Sequence, residues 1–454
     1  MLAGLAIRLG YLFGWQNPGH DIGDSYYYHY GANLFASGRG FPNPFELRQL
    51  HHYWPDAQHP PLTIVLLAIP SLFRLRSYFD HQVFSCLLGT VTVGVIGLTG
   101  RRMAGPRAGL FAAALAAVYP GLWLNDPMVL SETPSVLVCA LTLLLCYRFI
   151  ARRTVARAAW LGVVLAADIL VRAELALLAV VLVAPLILLN RALPWRARLV
   201  QLGAAAATCL VLLAPWVGYN LSRFSQPEYI STGLGSTLIV ANCDPTYHAP
   251  LTGWWFYGCG VNNTPPGDMS DRDVGFRHQA FTYISDHSGE LPRVIAARVG
   301  RLWGFYAPNQ QLRLDQIEER QITFDRVGLW TLYAFQGLSV VALVVLRRRR
   351  VSVWPPVALV VTVTFSAAII YGTTRFRAAA EPALVLLAAV AIDAAIGVLV
   401  ASRRGPRDPT PGSAPGSTGR APGRGADGAD VPAAAAVVPA ATAAIGAPKE
   451  VPAG

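Results

Sequence analysis

The sequence predicts an all-α polytopic membrane protein with about ten transmembrane helices, and three observations predict it. Of 454 residues, 54% are hydrophobic and only 14% are charged, whereas soluble domains carry about a quarter charged residues. Apolar runs near the ~20 residues needed to span a bilayer recur along the chain. Between them sit five arginine segments without a single acid, at 101–107, 148–157, 191–198, 347–350 and 403–407. Counting spans puts all five on one face, which the positive-inside bias makes cytoplasmic.

The spans read from the apolar runs are 1–15, 81–100, 108–124, 132–150, 157–171, 174–190, 199–219, 328–346, 353–371 and 381–401. The first is short, since 15 residues of helix rise only ~22 Å. The apolar piece 61–73 is shorter still and reads as a helix lying at the outer interface. Making it a span would invert every later loop and break the arginine pattern. Two polar segments fall on the outer side: a loop at 16–80 and a small loop domain at 221–326, the latter holding nine Arg and eleven acids. Within that domain Trp254, Trp255, Phe256 and Tyr257 suit either the headgroup layer or a local core. Residues 1–401 thus form one membrane domain. The Pro/Ala/Gly-rich tail at 402–454 has no hydrophobic periodicity and is expected to be disordered and cytoplasmic. The start of the chain lacks the pattern of a cleavable signal peptide. The net charge of +11 is largely this topological arginine, so nucleic acid is not an expected partner.

Four of the six cysteines, Cys86, Cys139, Cys146 and Cys209, lie in apolar runs and read as small buried hydrophobes. Cys243 and Cys259 bracket a polar, aromatic stretch of the outer loop domain. A disulfide there would stabilise by about 3 kcal/mol on an oxidising face, with two free thiols as the alternative.

The outer face also receives the residues suited to chemistry. Asp24 follows a glycine just after the first span and precedes Ser25 and three tyrosines. That position, near the membrane surface and open to water, suits a general base for an acceptor hydroxyl, while a helix-capping role is the plainer reading. Asp21 is the nearest competitor, as a partner or metal ligand. Glu132 opens a span and Asp126 precedes it in the same short loop. With Asp24 these acids are candidates for a divalent cation such as Mg or Mn, although Glu132 also suits the helix dipole. Arg172 and Glu174 interrupt two apolar runs with almost no loop between them, and Arg375, Arg377 and Glu381 form a second such cluster. Charges so close to hydrocarbon are costly and are paired or functional. The planar donor fork of arginine suits a phosphate held at headgroup depth.

In order along the chain these motifs resemble the GT-C superfamily of membrane glycosyltransferases, in particular the family 39-like group. That group includes the protein O-mannosyltransferases and the transferase of aminoarabinose to lipid A. The resemblance runs from Asp24 with Tyr26 and Tyr27, through ANLFASGRGF (32–41), HPPL (59–62), GRRMAG (100–105), SET (131–133) and VRAE (171–174), to RFR with Glu381-Pro382. It covers roughly residues 1–400 and implies an inverting transfer from a polyprenyl-phosphate sugar at the outer face of the cytoplasmic membrane. The acceptor would be an envelope glycan, a glycolipid or a protein. It implies that Asp24 is the catalytic base and that Arg172, Arg375 and Arg377 meet the donor phosphate. His59 and the two prolines after it are expected to shape the loop rather than react. Two departures stand out. Many relatives carry two adjacent acids where this chain has Asp24 and then Ser25, so a second acid would be Asp21 or Glu132. Asn125-Asp126 also stand where an arginine is common. The alternative function is a transporter or flippase of a lipid-linked glycan. Such proteins place ionisable groups near the midplane and often show repeated halves, neither of which is apparent here.

Overall fold

A computed structural model describes residues 1–16 and 22–403. Most of those residues are helical, and the described residues hold a single isolated β-bridge, between Pro42 and Pro55. Asp21 and residues 404–454 lie outside the described residues, so neither the expected partner of Asp24 nor the expected disordered tail is addressed by the structure.

The chain opens with α1 (Leu2–Gly14), then the outer helices α2 (Gly23–Ala36), α3 (Pro44–Gln49) and α4 (Leu62–Leu72). Next come α5 (Tyr78–Ala104), α6 (Pro106–Val118), α7 (Glu132–Ala151), α8 (Val155–Val171) and α9 (Trp195–Leu221). The polar segment between 221 and 322 folds as short helices around α10 (Met269–Asp286) and α11 (Leu291–Leu302). The long α12 (Ile322–Arg348), then α13 (Trp354–Ile369) and α14 (Glu381–Arg403), complete the chain.

Five helical segments are long and apolar enough to cross a bilayer: Tyr78–Ala104, Glu132–Ala151, Trp195–Leu221, Ile322–Arg348 and Thr374–Val400. A sixth arises if Pro106–Val118 and Pro120–Met128, bent by 58° at the break, count as one. The ten expected spans all fall on helical segments, but the number that qualify is smaller, for local reasons. Helix α1 has 13 residues. Arg172, in extended conformation, ends α8 after 17 residues. The run that follows is split into 3-10, π and α turns, with Pro185 near the start of the last.

Close helix packing rests on small residues. A Cβ on Gly162 of α8 would fall 2.1 Å from the Ala205 carbonyl oxygen of α9, so glycine there lets the two backbones touch. The central core is built from α5–α9 and α12–α14. A second cluster joins Tyr27, Tyr28 and Ala32 of α2 to Ile64, Leu67 and Ala68 of α4 and to the loop at 128–130. The expected interfacial piece is therefore a helix whose inner side forms the floor under α2.

The arginine segments at 101–107, 148–157, 191–198 and 347–350 gather at one end of the bundle. Arg107 pairs with Asp393 of α14 at 2.5 Å, and Arg349 approaches the same carboxylate at 3.8 Å. Gln201 donates to the Arg153 carbonyl and Tyr147 to the Ser352 carbonyl, both at 2.8 Å. In the outer segment Cys243 and Cys259 form a disulfide, and the other four cysteines are buried and free. Trp254 is buried and stacks on Trp255, whereas Phe256 and Tyr257 are exposed.

Candidate functional site

Asp24 is the second residue of α2, entered through Gly23 at φ +54°, a conformation that glycine adopts without steric cost. The helix start is capped by other groups: Ser25 Oγ donates to the Ile22 carbonyl at 2.7 Å and accepts from the Ile22 N–H at 3.1 Å. This leaves the Asp24 carboxylate free to reach across the site, where Oδ2 stands 2.8 Å from Nη2 of Arg375. His59 Nε2 lies 3.6 Å from Oδ1, and its ring stands edge-on to Tyr27. Burial raises the affinity of Asp24 for a proton, but the Arg375 and His59 contributions outweigh it and hold the carboxyl well below the usual carboxylate range.

Arg375 sits in the short helix Thr374–Arg377 that leads into α14, with the Thr373 hydroxyl capping its start. Its guanidinium is shared by three acids on three different nitrogens. Nε binds Glu132, Nη2 binds Asp24, and Nη1 lies 3.6 Å from Glu318 Oε1. Glu132, the first residue of α7, is completely buried and is also held by Nη1 of Arg172 at 3.2 Å. Arg172 donates in addition to Glu174 at 2.5 Å and lies over the Phe376 ring at 5.0 Å. Tyr28 lines the same space, bonded to Ser131, and burial raises its phenol. One cluster thus collects Asp24, Glu132, Arg172 and Arg375 from four distant parts of the sequence.

Two expected members stand elsewhere. Arg377 is buried and turned inward, donating to Glu381 at 2.6 Å and to the Leu302 carbonyl at 3.0 Å. The i,i+4 spacing puts Arg377 and Glu381 on one helix face, so the two charges satisfy each other. Asp126 is packed against Gly89 of α5, bonded to Thr133 at 2.8 Å and to Arg8 of α1 at 2.5 Å. The expectation that Asp24, Asp126 and Glu132 converge on a Mg or Mn ion is not met. Among the described residues no three His, Cys, Asp or Glu side chains gather at metal-binding distance. Asp24 and Glu132 are instead held by the guanidinium of Arg375. Asp21, the other acid considered as a ligand, lies outside the described residues.

Two neighbours of the site were not anticipated. His59 reads from its motif as a loop-shaping residue, yet it faces Asp24. Glu318 ends a 3-10 turn in the outer segment, within a stretch whose many alternating charges give no contrast that could have singled it out.

Beside the cluster, Leu170 of α8 and Pro61 at the start of α4 help line a groove of about 440 Å³. Phe35 and Phe41 from the first outer loop and Trp216 and Tyr219 from the end of α9 complete its apolar walls. Along the chain, Leu170 stands two residues before Arg172 and Pro61 two residues after His59.

The profile of the dolichyl-phosphate-mannose-protein mannosyltransferase family matches residues 58–219, just over a third of the chain. That stretch carries His59, Glu132 and Arg172 but neither Asp24 nor Arg375. No curated protein sequence matches the chain. Among solved structures, the oligosaccharyltransferase AglB from Archaeoglobus fulgidus, in complex with an inhibitory peptide and a dolichol-phosphate, superposes with TM-score 0.50 and 14% identity. The match covers 90% of this chain and 52% of that one. Its apo form gives TM-score 0.50 and 16% identity over 89% and 50% of the two chains. ArnT from Cupriavidus metallidurans matches more loosely, at TM-score 0.45 and 16% identity over 88% of this chain and 62% of that one. The chain spans about half the length of the oligosaccharyltransferase structures, and at such identities the likeness speaks for the fold. That fold is the one shared with the membrane-embedded archaeal oligosaccharyltransferase over about 90% of this chain.

Proposed function

We propose that the protein is a membrane glycosyltransferase that moves a sugar from a polyprenyl-phosphate donor to an acceptor hydroxyl at the extracytoplasmic face of the cytoplasmic membrane. The observation that carries this reading is the meeting of Asp24 with Arg375, which Glu132 joins to Arg172, at the end of the bundle opposite the four described arginine segments. Arg172 and Arg375 hold the donor phosphate, and the lipid chain leaves the site along the apolar groove beside α4 and α9. The acceptor oxygen attacks the anomeric carbon while the carbon–oxygen bond to phosphate breaks. The electron pair of that bond departs with the polyprenyl phosphate, and the two guanidiniums stabilise its growing charge. The hydroxyl proton passes to Asp24. The acceptor is an envelope glycan, a glycolipid or a protein.

The test is an assay of the purified protein with a panel of polyprenyl-phosphate sugars, joined to glycan analysis of a deletion strain's envelope. Transfer from one donor class with release of polyprenyl phosphate supports the reading. A protein that flips such lipids between leaflets without cleaving them would instead be the transporter considered from the sequence.

A further inference from the structure

Glu318 is a carboxylate of the site that no motif announced, and its surroundings set it apart from a simple counter-ion. Arg375 offers Glu132, Asp24 and Glu318 one nitrogen each. Glu132 is sealed and doubly held, because Arg172 grips it as well. Asp24 is 31% exposed and Glu318 11%, so these two lie on the accessible side of the guanidinium. Glu318 Oε2 is buried and has no hydrogen-bond partner among the described residues. Four carboxylates, Asp24, Glu132, Glu174 and Glu318, stand against Arg172 and Arg375, with Arg320 also acting on Glu132 and Glu318 and His59 on Asp24. In α2 the residue after Asp24 is Ser25, whose hydroxyl is used to cap the helix, so α2 itself supplies no second acid next to Asp24.

We propose that Glu318 is a further catalytic residue, paired with Asp24 on the acceptor side of Arg375, and that the two carboxylates together take the acceptor's proton. This rests on the glycosyltransferase reading above. A donor phosphate competing for Arg375 displaces the two accessible acids rather than Glu132. Both then lose a cation that weakened them as bases, at the moment the acceptor hydroxyl must be deprotonated. The hydroxyl proton ends on the Asp24–Glu318 pair, the acceptor oxygen bonds to the anomeric carbon, and polyprenyl phosphate leaves. Burial, the larger effect, raises Glu318 above the usual glutamate range despite Arg375 and Arg320, which suits a group that exchanges a proton. Coupled acids of this kind titrate as a pair and fail as a pair.

The test uses the full chain in lipid nanodiscs, with E318Q, E318D, D24N and the D24N/E318Q double variant. Transfer is followed with the donor that the wild type uses, and a sugar-free polyprenyl phosphate serves as the binding probe. E318Q is expected to lower kcat by about 10²-fold or more, to keep probe affinity at or above wild type, and to abolish the acid limb of the pH profile. E318D should recover part of the rate, and the double variant should be no slower than the slower single one. Wild-type kcat with an unchanged pH profile in E318Q would overturn the proposal. So would a loss of probe binding in parallel with rate, which would make Glu318 a support for Arg375 only. If the wild type itself transferred no sugar from any donor, the glycosyltransferase reading would fail and this proposal with it. An active wild type matched by E318Q would remove only Glu318.

Discussion

The Asp24 carboxylate lies 2.8 Å from Nη2 of Arg375, joining the first outer helix to the turn that opens the last helix of the bundle. A side chain at this helix start would ordinarily be read as a cap, yet Ser25 supplies the capping contacts and Asp24 is left to the site. The pairing has two consequences for the proposed transfer. It holds the base ionised while no donor is bound, and it makes one guanidinium the common partner of acid and phosphate.

Asp24→Asn is nearly isosteric but cannot accept a proton. Sugar transfer should fall by roughly 10²–10⁴-fold, the usual effect of losing a general base, while binding of a polyprenyl phosphate persists. Single-turnover transfer and lipid binding measured on the same preparation check this. Near-wild-type transfer would remove Asp24 from the base role and turn attention to Asp21.

The same pair gives a pH dependence of stability. The folded state depresses the Asp24 pKa, so its contribution is present above the ordinary aspartate value of about 3.9 and is lost as pH falls below it. Thermal unfolding of wild type and Asp24→Asn should differ most near neutral pH, with the gap closing as pH drops through that region. A gap that widened on acidification would contradict the pairing.

How much of this was legible in the sequence follows from where charge is conspicuous. Asp24, Glu132, Arg172 and Arg375 stand at the edges of apolar runs, where a charge has an energetic cost and so draws notice. Glu318 stands among nine Arg and eleven acids in the outer segment, where one more acid carries no signal. His59 was visible in its motif, but the prolines beside it explained it too readily. Arg377 misled by adjacency to Arg375, since only the helix register shows that its side chain turns to Glu381. Helix positions were readable from apolar runs. Helix lengths were not, because breaks such as the extended backbone at Arg172 depend on the contacts that residue makes with Glu132 and Glu174.

Arg375→Ala and Arg377→Ala should therefore fail in different ways. Arg375→Ala removes a cation aimed at the donor phosphate and should weaken binding of a polyprenyl phosphate. Arg377→Ala leaves Glu381 buried without its partner, a defect of about 3–5 kcal/mol for a broken buried pair, and should lower the unfolding temperature. Lipid-binding isotherms beside thermal melts separate the two. Equal loss of lipid affinity in both variants would return Arg377 to the phosphate site.

Arg8 and Asp126 make a second buried pair, Nε to Oδ2 at 2.5 Å, which ties α1 to the loop before α7. Arg8→Met alone or Asp126→Asn alone should destabilise by about 3–5 kcal/mol, whereas an apolar replacement of both should come close to wild type. The double variant should then retain transfer, because neither residue touches Asp24 or Arg375. If it kept its stability but lost activity, Asp126 would belong to the chemistry after all.

Cys243 and Cys259, sixteen residues apart, close a loop of the outer segment by their disulfide. A cross-link around a loop of that size restricts the unfolded chain by about 3 kcal/mol. Cys243→Ser or Cys259→Ser should lower thermal stability by a comparable amount and leave the pH profile of transfer unchanged. The site is built from Asp24, Glu132, Arg172, Glu318 and Arg375, none of which the disulfide touches. In native membranes both thiols should resist alkylation until a reductant is added, and mass mapping of the modified cysteines provides the measurement. Labelling of both before reduction would refute the bond, and a changed pH profile in either variant would show that the loop reaches the chemistry.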